Sequence, residues 1–166
     1  MSLSQKVADE LQQLAGFSGP APKTVSLAGP DGIDVAVDFT AVDSMSCSFR
    51  EVRLRVPSLV GAGFDVLKQW GESLCRRVTY LLENIGPLEL DPDNEQVLIR
   101  SNPPDQQDNG SRFYEILLQS HANGNFSLRR FESEKGRPGR TQVDIRTTHE
   151  VLQKLLDDLV ETVPAP

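Results

Sequence analysis

The chain has 166 residues, with 17 Lys or Arg against 24 Asp or Glu, for a formal net charge of −7. That length fits a single domain, and 38% hydrophobic residues with 12 glycines excludes a wholly disordered chain. The acidic balance disfavours nucleic acid and anionic membrane as partners, and no apolar run approaches the ~20 residues of a bilayer span.

Leu3, Val7, Leu11 and Leu14 fall on one helical stripe, and Gly16 suits a left-handed ending. Asp9 and Glu10 interrupt any apolar core, so no secretory leader is expected here. The segment 17–22, with Gly19, Pro20 and Pro22, breaks the pattern and sets the 1–16 helix apart as an arm or a lid. Val25 and Leu27 then alternate with polar neighbours. After the turn residues Gly29-Pro30-Asp31-Gly32, Ile33, Val35, Val37 and Phe39 alternate with polar or small ones, which predicts a β-hairpin. Residues 46–56 predict a third strand. Its apolar parity switches between Phe49 and Val52, the mark of a bulge or of burial on both faces.

A central helix is expected over about 62–85. Phe64, Leu67, Trp70, Leu74, Val78, Leu81, Leu82 and Ile85 share one face, and Gly86-Pro87 stops it. Gly71 in its middle suits a close approach of another backbone. Beyond it, strands are predicted at 88–90 and 96–100 around the turn at 91–94, then a mobile polar loop over 101–110. Further strands fall at 113–121 and 125–131 around Asn123-Gly124, and at 141–146. The last helix opens on Thr147 with Glu150 three residues on, a capping-box pattern, and Pro164 ends it. The class is α+β: an antiparallel sheet of about six to eight strands packed by two or three helices, in the order α-β-β-β-α-β-β-β-β-β-α.

Sites are harder to find. From 129 to 146 there are six basic residues and three acidic ones, so this segment is positive within an acidic chain. Arg129, Arg130, Arg137 and Arg140 could recognise an anion, since guanidinium forks match carboxylate and phosphate. The competing reading is a solvated hairpin whose acids neutralise its bases. Arg53 and Arg55 share a strand face with Glu51. They either line a groove beside that hairpin or pair across strands with Asp34 and Asp38.

Asp91, Asp93 and Glu95 begin like a calcium loop, but Gln96 and Asn102 stand where glycine and glutamate belong, so a plain turn is expected. His121 and His149, the two histidines, lack metal-ligand spacing, and Cys47 and Cys75 have neither a CxxC partner nor a recognisable base. The Gly61 and Gly63 stretch before the central helix lacks the rest of a phosphate loop. No catalytic residue, cofactor or metal is therefore expected, and an enzyme is the less favoured reading.

The element order resembles that of the secretion-chaperone-like fold, in topology alone. The expectation is a cytoplasmic, non-catalytic protein-binding domain of adaptor or chaperone type, whose partner is another protein or a second copy of itself. The alternative is a small-anion-binding domain or enzyme using an arginine-lined sheet face. In either case the contacts fall to Arg53, Arg55, Arg129, Arg130, Arg137 and Arg140.

Overall fold

The computed structural model describes residues 2–81, 85, 88–101, 105–107, 110–120 and 125–165. The expected helix stop at Gly86-Pro87, the turn at 121–124 with His121, and parts of the 101–110 loop lie outside these residues.

The first helix, α1 (Leu3–Gln13), starts on a capping box. The Ser2 hydroxyl accepts from the Gln5 amide at 3.2 Å, and the Gln5 side chain accepts from the Ser2 amide at 3.3 Å. Its buried Leu3, Val7 and Leu11 belong to the same core cluster as the sheet, and α1 packs on the last helix, α3 (His149–Glu161), of its own chain. Gly16, at φ +89, turns the chain into the first strand.

That strand, β1 (Ser18–Ala28), runs through the proline-rich stretch expected to break it. Pro20 and Pro22 are tolerated because β1 is an edge strand. Pairing slips between Ser18 and Lys23, where five steps along β1 face two along its neighbour β2 (Asp34–Val42). The third strand, β3 (Ser46–Arg55), carries the expected bulge: Val37 pairs Val52 and Phe39 pairs Phe49, so β3 holds one extra residue between them.

The central helix, α2, spans Phe64–Arg77, eight residues short of the expected end at 85. It stops where β-branched Val78 and Thr79 follow, with Val78 fully buried at the cap. A joint holds its end. The buried Asp158 carboxylate on α3 accepts from Arg77 Nε at 2.9 Å and from the Tyr80 hydroxyl at 2.7 Å. Burial and that hydrogen bond push the Tyr80 hydroxyl well above its ordinary pKa. Trp70 is fully buried and donates its indole N–H to the Thr162 hydroxyl at 3.1 Å.

Seven further strands complete one antiparallel sheet: β4 (Glu89–Asp91), β5 (Gln96–Arg100), β6 (Asp105–Gln107), β7 (Gly110–Gln119), β8 (Phe126–Glu134), β9 (Thr141–Val143) and β10 (Ile145–Thr148). The path is β1-β2-β3-β8-β7-β5-β4, with β6 on β7, β9 on β8 and β10 on β3. The α+β class and element order stand as expected. The strand count is higher because β6 forms inside the expected loop and the 141–146 strand divides at Asp144.

That division has a geometric cause. Only Val52–Leu54 of β3 pairs with β8, after which the two strands diverge. The chain enters the gap along β8 as β9, turns at Asp144, and returns along β3 as β10. Gln142 Nε2 donates to the Arg50 carbonyl at 2.9 Å, and the Thr40 hydroxyl donates to Asp144 at 3.0 Å. The cap of α3 falls one residue later than expected: Thr148 Oγ1 accepts from the Val151 amide at 3.2 Å, while Thr147 is buried in β10.

Alternation along the strands sorts the side chains into two faces. One face, with Val37, Val52, Val97, Ile116, Leu118, Phe126 and Leu128, forms the core with all three helices. Helix α2 lies so close that a Cβ at Gly71 would stand 3.2 Å from a Val97 methyl and 3.6 Å from a Leu118 methyl. The neighbours at Gly71 are thus sheet side chains, not the expected backbone. A Gly71→Leu variant should lose about 1–3 kcal/mol by overpacking, read as a lower denaturation midpoint, whereas a polar change at exposed Gln12 should leave it in place. Asn125 is fully buried; its side chain accepts from the Val56 amide at 2.7 Å and donates to the Gln119 carbonyl at 3.1 Å. Asn125→Ala strands both groups and should cost about 2–3 kcal/mol in the same denaturation experiment.

Candidate functional site

The second face of the sheet carries no helix among the described residues, and strand register turns it into a lattice. Arg100 on β5 stands opposite Glu115 on β7, which stands opposite Arg129 on β8. One step along the strands, Phe113 stands opposite Phe131 and Phe131 opposite Gln142. One step the other way runs Glu89, Leu98, Leu117, Ser127, Arg53 and Ala36.

Glu115 is the centre. Its side chain is 5% exposed, yet it meets three guanidiniums. Arg140 forks onto both carboxylate oxygens, with Nη2 to Oε1 at 3.2 Å and Nη1 to Oε2. Arg100 Nε donates to Oε2 at 3.3 Å, and Arg129 Nη2 lies 3.6 Å from Oε1. Burial alone would raise the Glu115 pKa, but the Arg140 and Arg100 guanidiniums hold it below the usual carboxylate range. The arginines also roof an aromatic pair. The Arg140 guanidinium sits 3.8 Å from the Phe131 ring centre and that of Arg129 5.2 Å, while the Phe113 and Phe131 rings lie 5.9 Å apart. Phe131 is therefore buried on a face that no described helix covers.

The arginines singled out from the sequence separate in space. Arg129 and Arg140 come together at Glu115. Arg53 forks onto Asp38, with Nη2 to Oδ1 at 3.0 Å, and Arg55 lies 3.4 Å from Asp34, so the cross-strand pairing is the arrangement found. Burial opposes ionisation of Asp38, but the bonds from Arg53 and Thr24 outweigh it and lower its pKa. Arg130 points to the other face, its guanidinium 5.0 Å from the Tyr114 ring. Arg137 sits at the hairpin tip and pairs with Glu134 at 3.2 Å. A cleft of about 390 Å³ there is lined by Glu132 and Glu134 as well as Arg137 and Arg140, and with Arg140 forked onto Glu115 it holds no cationic excess.

Arg100 and Glu115 were not singled out. A clue existed in the alternation of both strands, but their pairing depends on register across a turn and a loop.

Among the described residues, the remaining candidates hold no converging chemistry. Asp91 caps its own turn through Asn94 at 2.8 Å, while Glu95 accepts from Ser120 at 2.9 Å. His149 Nε2 lies 3.1 Å from the Ser46 carbonyl. Cys47 and Cys75 are free thiols. Burial raises both above the ordinary thiol pKa, against the hydrogen bond of Thr147 at Cys47 and the charge of Arg76 at Cys75. Among the described residues no group of three or more His, Cys, Asp or Glu could hold a metal ion, and no helix is long and apolar enough to cross a membrane. The chain matches no family model, no curated protein and no solved structure.

Because the Glu115 pKa is depressed in the folded state, its stabilising effect is complete above about pH 4.3, its unfolded value, and is lost as pH falls through the lower folded value. Glu115→Gln should therefore be about 1–3 kcal/mol less stable than the native chain at pH 7. The gap should narrow as the pH of the urea titration drops below 4. A constant gap down to strongly acid pH would contradict the role given to this carboxylate.

Proposed function

We propose that this chain is a non-catalytic protein-binding domain of adaptor or chaperone type, and that it binds through the open face of its sheet. The observation that carries this reading is the network around Glu115. It fixes Arg100, Arg129 and Arg140 in place while leaving each side chain between 32% and 47% exposed. Ordered guanidiniums beside the partly exposed Leu98, Phe113 and Leu117 make a surface that loses little side-chain entropy when it is covered. Arginine and aromatic residues are also the types that dominate binding energy at protein interfaces. The face is broad, spanning β2 to β5, and suits a macromolecule better than an enclosed small ligand. The cleft at Arg137, lined by two acids and with Arg140 engaged on Glu115, gives no support to a small-anion pocket there. Free Cys47 and Cys75 fit the cytoplasmic location proposed with this function.

Ser127 is a small residue of the face, between Leu117 and Arg53 in the lattice. Ser127→Trp raises the surface there without replacing any member of the Glu115 network. In affinity capture from the native lysate, a partner held reproducibly by the native chain should be lost with Ser127→Trp and kept with Gln12→Trp on α1, which lies on the helical side. Identical capture by all three proteins would refute binding through the open face.

A further inference from the structure

We infer that the occupant of the open face is an extended acidic segment of a partner protein, with carboxylates and aliphatic side chains alternating along one edge; this rests on the protein-binding reading above. Two rows of the lattice set the chemistry. In the row Arg100, Glu115, Arg129, joined by Arg140, three guanidiniums share one carboxylate whose two oxygens are both engaged. Two positive charges are left over. Glu89 offsets them weakly, since it lies 3.6 Å from Arg100 and is 58% exposed, while Asp38 and Glu51 farther along the face are engaged by Arg53.

The donors are also in excess. Each guanidinium carries five N–H groups. Arg140 gives two hydrogen bonds to Glu115 and Arg100 gives one. The Arg129 contact, at 3.6 Å, is an ion pair without a hydrogen bond. Stacking on Phe131 holds Arg129 and Arg140 in place, so their remaining donors present a fixed array. An anionic, multidentate acceptor complements that array.

The neighbouring row is aliphatic: Leu98 stands opposite Leu117, and both are partly exposed. Along each strand this row lies two residues from the arginine row, a separation of about 6.6–6.8 Å. An extended ligand repeats its same-side residues at that spacing. A carboxylate seated on Arg129 therefore places the side chain two residues on over the small Ser127, against its cross-strand neighbour Leu117. Inorganic phosphate would engage only the arginine row and leave Leu98 and Leu117 uncovered. This pairing of rows separates a peptide from a free anion.

The probe is a fluorescein-labelled peptide of three Leu-Ser-Glu-Ser repeats, titrated with the full chain by fluorescence anisotropy at low and at physiological salt. We expect binding that weakens with salt and falls at least about tenfold for Arg100→Gln/Arg129→Gln, a variant that leaves the Arg140 fork on Glu115 intact. Leu117→Ser should weaken it several-fold, and a peptide with Gln in place of Glu should not bind. If the arginine variant fails to fold, as circular dichroism would show, the Leu117→Ser and Gln-peptide arms still decide. No binding of the acidic peptide, equal binding of its Gln counterpart, undiminished binding by Leu117→Ser, or full displacement by inorganic phosphate would each overturn the inference. The protein-binding reading fails separately, on the capture experiment with Ser127→Trp.

Discussion

Glu115 occupies the middle of a sheet face that no described helix covers, and its ionised carboxylate organises that face. A buried charge is costly unless it is paired and hydrogen-bonded. Here the pairing is generous, because Arg140 satisfies both oxygens before Arg100 and Arg129 are counted. The guanidiniums in turn cover Phe131, which would otherwise be an exposed aromatic. One carboxylate thus fixes three long side chains drawn from β5, β8 and the residue preceding β9, and a polar roof replaces a helical one.

The backbone that makes this possible is the divergence of β3 from β8. If the two strands stayed paired beyond Val52, no gap would admit β9 and β10, and Arg140 would have no route to Glu115. The bulge between Phe49 and Val52 lies at the point of divergence, and Gln142 bridges to the Arg50 carbonyl there. Gly136 and Gly139, at φ +86 and +85, let the chain reverse after β8 so that Arg140 returns over the aromatic pair. Fold and candidate site therefore meet at one place: β3 leaves β8 beside its bulge, and the chain returning through the gap delivers the fork that neutralises Glu115.

Local patterns were legible where they were strict. Period-two alternation located β2, the parity switch located the bulge in β3, and the heptad-like stripe placed α1. What misled was competition between local and tertiary forces. Pro20 and Pro22 read as breakers but sit on an edge that needs no second partner. The stripe from Leu81 to Ile85 reads as more helix, yet Val78 caps α2 and Tyr80 turns back to Asp158. At the site, Arg129 and Arg130 are adjacent in sequence and indistinguishable by type. Only their phase separates them, and Phe131 hides it: by parity with Phe126 and Leu128 an apolar residue at 131 belongs to the other face. Arg100 and Glu115 were invisible for a different reason. Their partnership exists in the register of β5 on β7, across residues whose connection no local rule fixes.

Glu115 and Asp158, the two buried carboxylates among the described residues, show why the open face, and not the helix contact, is the place to look for a partner. Asp158 is matched to its surroundings: one guanidinium from Arg77 and one neutral hydroxyl from Tyr80 supply its bonds, and a second acid, Glu161, takes the rest of Arg77. With one cation shared between two acids, this joint has no cationic excess, and it fastens α2 to α3. Glu115 is surrounded by more cations than it can neutralise, on a chain whose net charge is negative. For stability alone the fork of Arg140 would suffice, since exposed additional pairs contribute little. Two further guanidiniums held at the same carboxylate, in an otherwise acidic protein, are an excess that the fold does not require and that an approaching anionic chain would meet.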